Sequence, residues 1–462
     1  MHVIPDWLNA RADTSPERIA LVVGEREWTF RELDLAATRM AEQLHALGVK
    51  SGDRVATLLP NGFAASVLPH ATLRLGAILA PLNTRLTKSE IDWQLENVKP
   101  AVVIDDEGMF DVTQPADLQL RLAHPENSVL AIIHTSGTTG KPKGAMLTVG
   151  NFWWSAIGSA LNLGVVPADR WLACLPLFHV GGLSIITRAA IYGICAEVHD
   201  GFDAARVNAA IDKGRISIVS VVAVMLQRML ELRDTPCPPT LRCILLGGGP
   251  ASKALLEKAA SMRVPVVQTY GLTETCSQLA TLSPEDALRK TGSAGKPLYP
   301  NEIRISEDDE IVVRGPVVMS GYYENREATS KVVVDGWLHT GDAGRIDEEG
   351  FLYVLDRRDD LIITGGENVY PAEVESVLAS YEGIDEVAVI GVPDDRWGQR
   401  VVAVVRSSRD LAASELTAFC ESRLGRYKIP REFRFADTPL PRTAAGKLKR
   451  LALRNGYEPM AQ

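Results

Sequence analysis

At 462 residues the chain exceeds what one ordinary hydrophobic core serves, so a large domain with at least one smaller unit is expected and a tiny stapled scaffold is excluded. Lysine and arginine total 49 against 58 for aspartate and glutamate, and the net charge of -9 argues against nucleic acid or an anionic lipid surface as partner. The six cysteines form no C-x-x-C pair and no zinc-like spacing with histidine, which fits reduced thiols in a cytoplasmic protein.

Along the chain, Asp6, Arg11, Asp13, Glu17 and Arg18 break up the start, so no secretory apolar run is read there. Ile19 to Val23 and Glu27 to Phe30 flank a Gly24-Glu25 turn and predict a hairpin. Phe30, Leu33, Ala37, Met40, Leu44 and Leu47 then recur at helical spacing, with Thr29 and Glu32 as a capping box and Gly48 as the stop. From about Arg54 to Gln268 the apolar runs Val55 to Leu59, Val102 to Ile104, Leu130 to Ile133, Ile216 to Val222, Cys243 to Leu246 and Val264 to Val267 alternate with helical segments. That alternation predicts an α/β sheet. The run Ile216 to Leu226 falls short of the ~20 residues that cross a bilayer, so no membrane insertion is expected. Gly292 to about Leu355 reads as a β-rich subdomain, and the charged run Arg357 to Asp360 precedes a small α+β unit. The expected division is 1–358 and 359–462.

The segment Thr135-Ser136-Gly137-Thr138-Thr139-Gly140-Lys141-Pro142-Lys143-Gly144 follows an apolar strand and has the makings of an anion cradle. Its glycines let backbone N–H groups approach phosphate oxygens, the hydroxyls of Thr135, Ser136, Thr138 and Thr139 add donors, and the lysines offset charge. It is not a Walker loop, because Pro142 stands where the second glycine belongs. Gly247-Gly248-Gly249-Pro250 also follows a strand, but a dinucleotide frame from Gly247 ends in Ser252. Close approach to a flat base and a plain strand-to-helix turn both remain open for these glycines.

Together with the phosphate segment, Tyr270-Gly271-Leu272-Thr273-Glu274, Gly336-Trp337-Leu338-His339-Thr340-Gly341-Asp342 and Pro441-Arg442-Thr443-Ala444-Ala445-Gly446-Lys447 resemble the adenylate-forming superfamily of acyl-CoA synthetases, adenylation domains and luciferases. The order and spacing also match, from about Trp7 to the end. Less general stretches, among them Asp169 to Gly182, Arg242 to Ala251, Tyr270 to Gln278 and Gly350 to Leu378, are similar to a branch of menaquinone synthesis whose acid is 2-succinylbenzoate. The departures are modest: connectors near Asp105 to Glu126 and Asn301 to Glu310 are short, and Ala343 stands where leucine is frequent.

The resemblance implies ATP, Mg²⁺, CoA and 2-succinylbenzoate as small-molecule partners, and a large N-terminal domain followed by a mobile lid. A carboxylate must first be activated as an acyl-adenylate before a thiol can displace AMP, and groups aimed at the transferring phosphate lower that barrier. The resemblance assigns Lys447 to the carboxylate and α-phosphate, and Glu274 to Mg²⁺. Thr135, Ser136, Gly137, Thr138, Thr139, Gly140 and Lys143 would hold phosphates. Asp342 and Arg357 would hold ribose or phosphate oxygens, and Tyr270, Gly271, Thr273, Gly248, Gly249 and Pro250 would surround the base. His179, Thr275, Ser277, Gln278 and Ser293 are the acid-pocket candidates, Gly365, Gly366 and Glu367 the CoA candidates, and Asp359 the hinge. Three other activities stay open at this point: an aryl- or fatty-acid CoA ligase, a phosphotransferase making ADP, and a noncatalytic nucleotide module. Homo-oligomerisation is also left open.

Overall fold

A computed structural model of the chain describes residues 2–86, 88–110, 118–135, 142–249, 251–357, 360–364, 367–394, 397–442 and 448–456. The chain forms two compact units that interleave in sequence. The first comprises Met1–Gly248, Lys258–Ile303 and Val313–Leu338; the second comprises Gly249–Glu257, Arg304–Val312 and His339–Gln462. The expected boundary at 358 and 359 concerns where the chain would turn, and Asp359 lies outside the described residues.

After strand Val3–Pro5 and helix Trp7–Thr14, the first unit forms the expected hairpin, Ile19–Val23 against Arg26–Thr29, turning at Gly24 with φ +62. The helix Phe30–Ala46 follows. Its Thr29 hydroxyl accepts from Glu32 N at 3.2 Å while the Glu32 carboxylate accepts from Thr29 N at 2.8 Å, so two end-of-helix donors are satisfied reciprocally. Phe30, Leu33, Ala37, Met40 and Leu44 are buried as the periodicity requires, whereas Leu47 lies beyond the last helical residue and is exposed.

Two sheets carry the unit. In the nine-stranded sheet, Cys195–Val198, Arg170–Ala173, Ile218–Val221, Cys243–Leu246 and Val266–Tyr270 run parallel in that spatial order, with short antiparallel pairs at both edges. In the five-stranded sheet, Val102–Ile104, Arg54–Thr57, Ile78–Pro81 and Val129–Thr135 are parallel, and Lys143–Thr148 closes the edge antiparallel to Val129–Thr135. Ile218–Val221 and Cys243–Leu246 are buried throughout, which is why they read as continuous apolar runs and not as alternating ones. The segments after Leu246 and Tyr270 leave from the carboxyl ends of neighbouring parallel strands, the end where open α/β sheets bind ligands.

The β-rich region contains Glu302–Ile305, Glu310–Arg314, Trp337–Ile346 and Leu352–Arg357, and also a short helix, Arg326–Val332, that periodicity did not signal. Asn325 caps that helix by accepting from Ala328 N at 2.9 Å. In the second unit, Ile384–Asp394 and Gly398–Ser407 form a long antiparallel pair, and Gly398–Ser407 also pairs with Ile362–Thr364 and with Glu432–Phe435. Val374 and Leu378 of helix Pro371–Ala379 and Leu416 of helix Ala413–Glu421 pack into one core with Val389, Val401, Ala403 and Val405. Among the described residues no helix is long and apolar enough to cross a membrane, and all six cysteines are free.

Candidate active site

The phosphate segment joins the antiparallel strands Val129–Thr135 and Lys143–Thr148, which pair Thr135 with Lys143 and His134 with Gly144. Ser136, Gly137, Thr138, Thr139 and Gly140 lie outside the described residues. Thr135 Oγ1 donates to Lys143 O at 3.4 Å. Gly144 leaves no room for a side chain, since a Cβ there would stand 2.7 Å from Ile132 Cγ2. Lys143 Nζ lies 5.2 Å from the centroid of the Tyr322 ring, and the Tyr322 hydroxyl donates to Glu274 Oε1 at 2.8 Å. The Glu274 backbone is held as well, its carbonyl accepting from Met319 N at 2.8 Å. Lys143 and the sequence-distant Glu274 therefore both meet Tyr322 within the first unit, and Thr135 stands opposite Lys143.

Glu274 suits Mg²⁺ on its donor chemistry. Its Oε2 has no hydrogen bond among the described residues, and no cluster of three His, Cys, Asp or Glu accompanies it there. A single hard oxygen with room for waters and substrate phosphates is how Mg²⁺ is ordinarily held, in contrast to a full protein cage.

Glu274 is carried by a tight turn after strand Val266–Tyr270. A Cβ on Gly271 would fall 1.5 Å from Ser277 O, so only glycine permits the chain to double back there. Cys276 and Ser277 take φ +49 and +84, a left-handed conformation rare for residues with side chains. The Thr275 hydroxyl is occupied by this turn, accepting from Leu272 N at 2.9 Å and donating to Leu272 O at 3.2 Å. Tyr270 and Thr273 are half-buried on the same turn. Gly248 has φ +78, and a Cβ on Gly247 would meet Thr269 Cγ2 at 2.8 Å, so strand-end packing already explains two of that cluster's glycines. Gly249 belongs to the second unit and Pro250 lies outside the described residues.

A residue that the sequence did not single out, Arg188, stands on the helix after one acid-pocket candidate, His179, and is joined through Ser155 to the turn that carries two others, Thr275 and Ser277. His179 precedes helix Val180–Tyr192, its ring edge-on to Phe178 with centroids 4.7 Å apart. Arg188, on that helix, is 2% exposed. Its Nη2 donates to Ser155 Oγ at 2.9 Å, Ser155 Oγ donates to Cys276 O at 2.7 Å, and the guanidinium lies 5.8 Å from the Trp171 ring centroid. Its Nε has no hydrogen-bond partner and the guanidinium has no carboxylate partner among the described residues. Burial, only partly offset by Tyr192 and Cys276, pulls its affinity for a proton below the usual arginine value. Gln278 Oε1, and Ser184 Oγ one turn before Arg188, are buried without partners among the described residues. Ser293 is fully buried and its hydroxyl accepts from Gly295 N at 3.0 Å, and Ser277 is half-buried. A desolvated cation without a counter-charge is a place for an anion.

In the second unit, Asp342 stands opposite Arg357 in the antiparallel register of Trp337–Ile346 with Leu352–Arg357. Gly341 turns the chain with φ +71 just before Asp342. Glu310 steadies that turn, its Oε1 accepting from Gly341 N and its Oε2 meeting His339 Nδ1, each at 2.8 Å. Thr340 Oγ1 donates to Ile311 O at 2.7 Å and accepts from Asp342 N at 3.1 Å. Glu367 lies on a strand edge paired with Thr364, while Gly365, Gly366 and Lys447 lie outside the described residues. Arg442 pairs with Leu448, and Lys449 N donates to Pro441 O at 2.8 Å, on either side of residues 443–447.

Residues 8–323 match the model of the AMP-binding enzyme family, and residues 373–447 match that of the AMP-binding enzyme C-terminal domain. The chain belongs to the AMP-binding enzyme family. Among relatives of this AMP-binding enzyme, a 2-succinylbenzoate-CoA ligase of Geobacillus sp. (strain WCH70) is 47% identical over 481 residues, covering 98% of this chain and 97% of the relative. The solved o-succinylbenzoate CoA synthetase (MenE) of Bacillus subtilis in complex with its acyl-adenylate intermediate OSB-AMP is 42% identical, with a TM-score of 0.94 and 99% of each chain covered. The same Bacillus subtilis protein with ATP and a magnesium ion superposes with a TM-score of 0.92 at 43% identity, covering 98% of this chain and 100% of that one.

Proposed function

We propose that this AMP-binding enzyme joins 2-succinylbenzoate to CoA at the expense of ATP, through an acyl-adenylate, as a step of menaquinone biosynthesis. The observation that carries the acid assignment is Arg188, a buried guanidinium with no carboxylate partner among the described residues. A dicarboxylic acid presents one carboxylate for reaction and leaves another to neutralise that charge, and a buried charge is stable only when so paired. The relatives that share nearly half of the sequence over its whole length act on such an acid.

In the first step a carboxylate oxygen attacks the α-phosphorus, the bond from that phosphorus to the bridging oxygen breaks, and pyrophosphate leaves. In the second the CoA sulfur attacks the acyl carbon, its proton passes to solvent, and AMP leaves. Thr135, the segment Ser136 to Gly140 and Lys143 hold phosphates in this reading. Tyr270, Gly271, Thr273 and Gly248 to Pro250 border the base, and Asp342 with Arg357 holds the ribose. Glu274 holds Mg²⁺, which when bound offsets the charge of the phosphates. Arg188 takes the second carboxylate, with His179, Ser277, Gln278 and Ser293 around the acid, while Thr275 supports them by fixing the turn. Lys447 stabilises the charge that builds at the α-phosphate. Residues 359–462 turn about Asp359 between the half-reactions, bringing Gly365, Gly366 and Glu367 to the pantetheine, and the setting is the cytoplasm.

The deciding experiment offers the purified enzyme ATP, Mg²⁺ and CoA with 2-succinylbenzoate, benzoate or a fatty acid. AMP and pyrophosphate should form with 2-succinylbenzoate far faster than with the other two. ADP or orthophosphate as product, or equal rates with all three acids, would overturn the assignment. Lys447→Ala should abolish adenylation yet still make thioester from synthetic acyl-adenylate and CoA; equal loss of both half-reactions removes Lys447 from the proposed role.

A further inference from the structure

Lys143 and Glu274 pose an electrostatic problem. An ammonium meant for a phosphate and a carboxylate meant for a cation stand near one another, and a direct ion pair would neutralise both. Among the described residues they form none. Both instead touch Tyr322, which is 7% exposed: its hydroxyl donates to Glu274 Oε1 at 2.8 Å, and its ring lies 5.2 Å from Lys143 Nζ. A phenol is suited to this double task, because its O–H satisfies an anion and its π face attracts a cation.

The backbone of Tyr322 is stitched to both neighbours. Tyr322 bridges Ala145 on the phosphate hairpin, and Met146 N donates to Gly321 O at 2.9 Å. On the other side Tyr322 N donates at 2.9 Å to the hydroxyl of Thr329, on helix Arg326–Val332. Gly321, at φ +134, lies against Thr329, where a Cβ would come 3.0 Å from Thr329 Cγ2. The ring is thereby fixed with respect to the hairpin, and through its hydroxyl so is the carboxylate.

We propose that Tyr322 is a positioning residue that keeps Lys143 and Glu274 apart as separate, ready charges. Glu274 Oε1 is occupied by the phenol, leaving Oε2 for the metal, while Lys143 stays over the ring and available to a phosphate. The inference rests on the reading of Glu274 as the Mg²⁺ residue. Partners that orient a metal-binding carboxylate matter to affinity by roughly ten- to a hundredfold.

The test compares wild type, Tyr322→Phe and Glu274→Gln, using Mn²⁺ as the probe and the non-reacting analogue α,β-methylene-ATP, with bound metal followed by electron paramagnetic resonance. Tyr322→Phe keeps the ring beneath Lys143 and removes only the hydroxyl. It should weaken Mn²⁺ binding about tenfold, leave analogue affinity at saturating metal within about twofold, and leave thioester formation from synthetic acyl-adenylate unchanged. The Mg²⁺ concentration that half-saturates pyrophosphate exchange should rise in parallel. Mn²⁺ affinity in Tyr322→Phe equal to wild type overturns the proposal, whether Glu274→Gln weakens it or not. No turnover of 2-succinylbenzoate by wild type, with the Mn²⁺ difference intact, would instead sink the substrate reading and leave the role of Tyr322 standing.

Discussion

Arg74 and Arg188 are the two most deeply buried of the described arginines in the first unit, and their surroundings differ in one respect. Arg74, 1% exposed, meets Asp6 at 3.2 Å, pairs closely with Asp34, and donates to Asp34 O and Thr38 Oγ1 at 2.9 and 2.8 Å. Burial opposes its charge, yet Asp6 and Asp34 raise its proton affinity above the usual arginine value. Burial likewise opposes the charge of Asp6, but His124 and Arg74 hold that carboxyl well below the usual range. Arg188 is buried to the same degree with no acid among the described residues, and its proton affinity moves the other way. A buried cation with built-in counter-ions belongs to the fold; one without them belongs to a ligand.

The sharpest way to break this contrast is to remove each cation. Arg74→Leu strands two carboxylates and should lose about 3–5 kcal/mol of unfolding free energy in chemical denaturation, while the folded fraction keeps its KM for 2-succinylbenzoate. Arg188→Leu should show the reverse pattern: stability equal to or above wild type, and kcat/KM for 2-succinylbenzoate lower by roughly 100-fold because a buried carboxylate loses its partner. A monocarboxylate analogue should react poorly with wild type and suffer far less from Arg188→Leu. Equal sensitivity of the two acids would remove Arg188 from the acid pocket.

A smaller effect is expected from pH. Burial pushes His70, near Asp6 and Arg74, down to about 4, and does the same to His134, whose Nε2 meets Asn97 Oδ1 at 3.1 Å. Both values lie below that of an unfolded histidine, so the unfolded chain takes up protons first as pH falls. Stability should therefore decline from about pH 6.5 towards pH 4 and become insensitive to these two groups below that. At pH 5 each should have removed about 2 kcal/mol relative to neutral pH. Denaturation of wild type and His70→Leu at pH 7 and pH 5 reads this directly: the variant should have a shallower pH dependence, and identical slopes would show that His70 contributes none of it.

Much of this architecture was legible from local pattern. Six of the parallel strands announced themselves as short apolar runs, whereas Ile78–Pro81, Arg170–Ala173 and Cys195–Val198 gave no such signal; the helix Phe30–Ala46 showed through its capping box, and the glycine- and hydroxyl-rich segment after Val129–Thr135 through composition. The residues proposed for function that local pattern did not reveal are those whose meaning lies in a missing or distant partner. Arg188 looks like an ordinary cation in the last turns of a helix, and only its isolation in the otherwise uncharged stretch Trp171 to Ala196 hints at burial. Tyr322 follows Gly321 in a segment that reads as turn and strand. Nothing local indicates that its hydroxyl ends on a carboxylate 48 residues earlier. Thr275 is the converse: its place in a motif suggested an acid ligand, while its hydroxyl is engaged with Leu272.

The turn bounded by Gly271 and Ser277 also bears on how such an enzyme could acquire a new substrate. One stretch of backbone carries Glu274, fixes it to Met319, and presents the Cys276 carbonyl to Ser155 beside Arg188. On the proposed roles of Glu274 and Arg188, remodelling those residues to admit a different acid would disturb the nucleotide chemistry at the same time. The helix Val180–Tyr192 reaches that turn through Arg188 and Ser155, so laboratory selection for altered acid preference should accumulate its changes on the helix at positions other than Arg188 and leave the turn as it is.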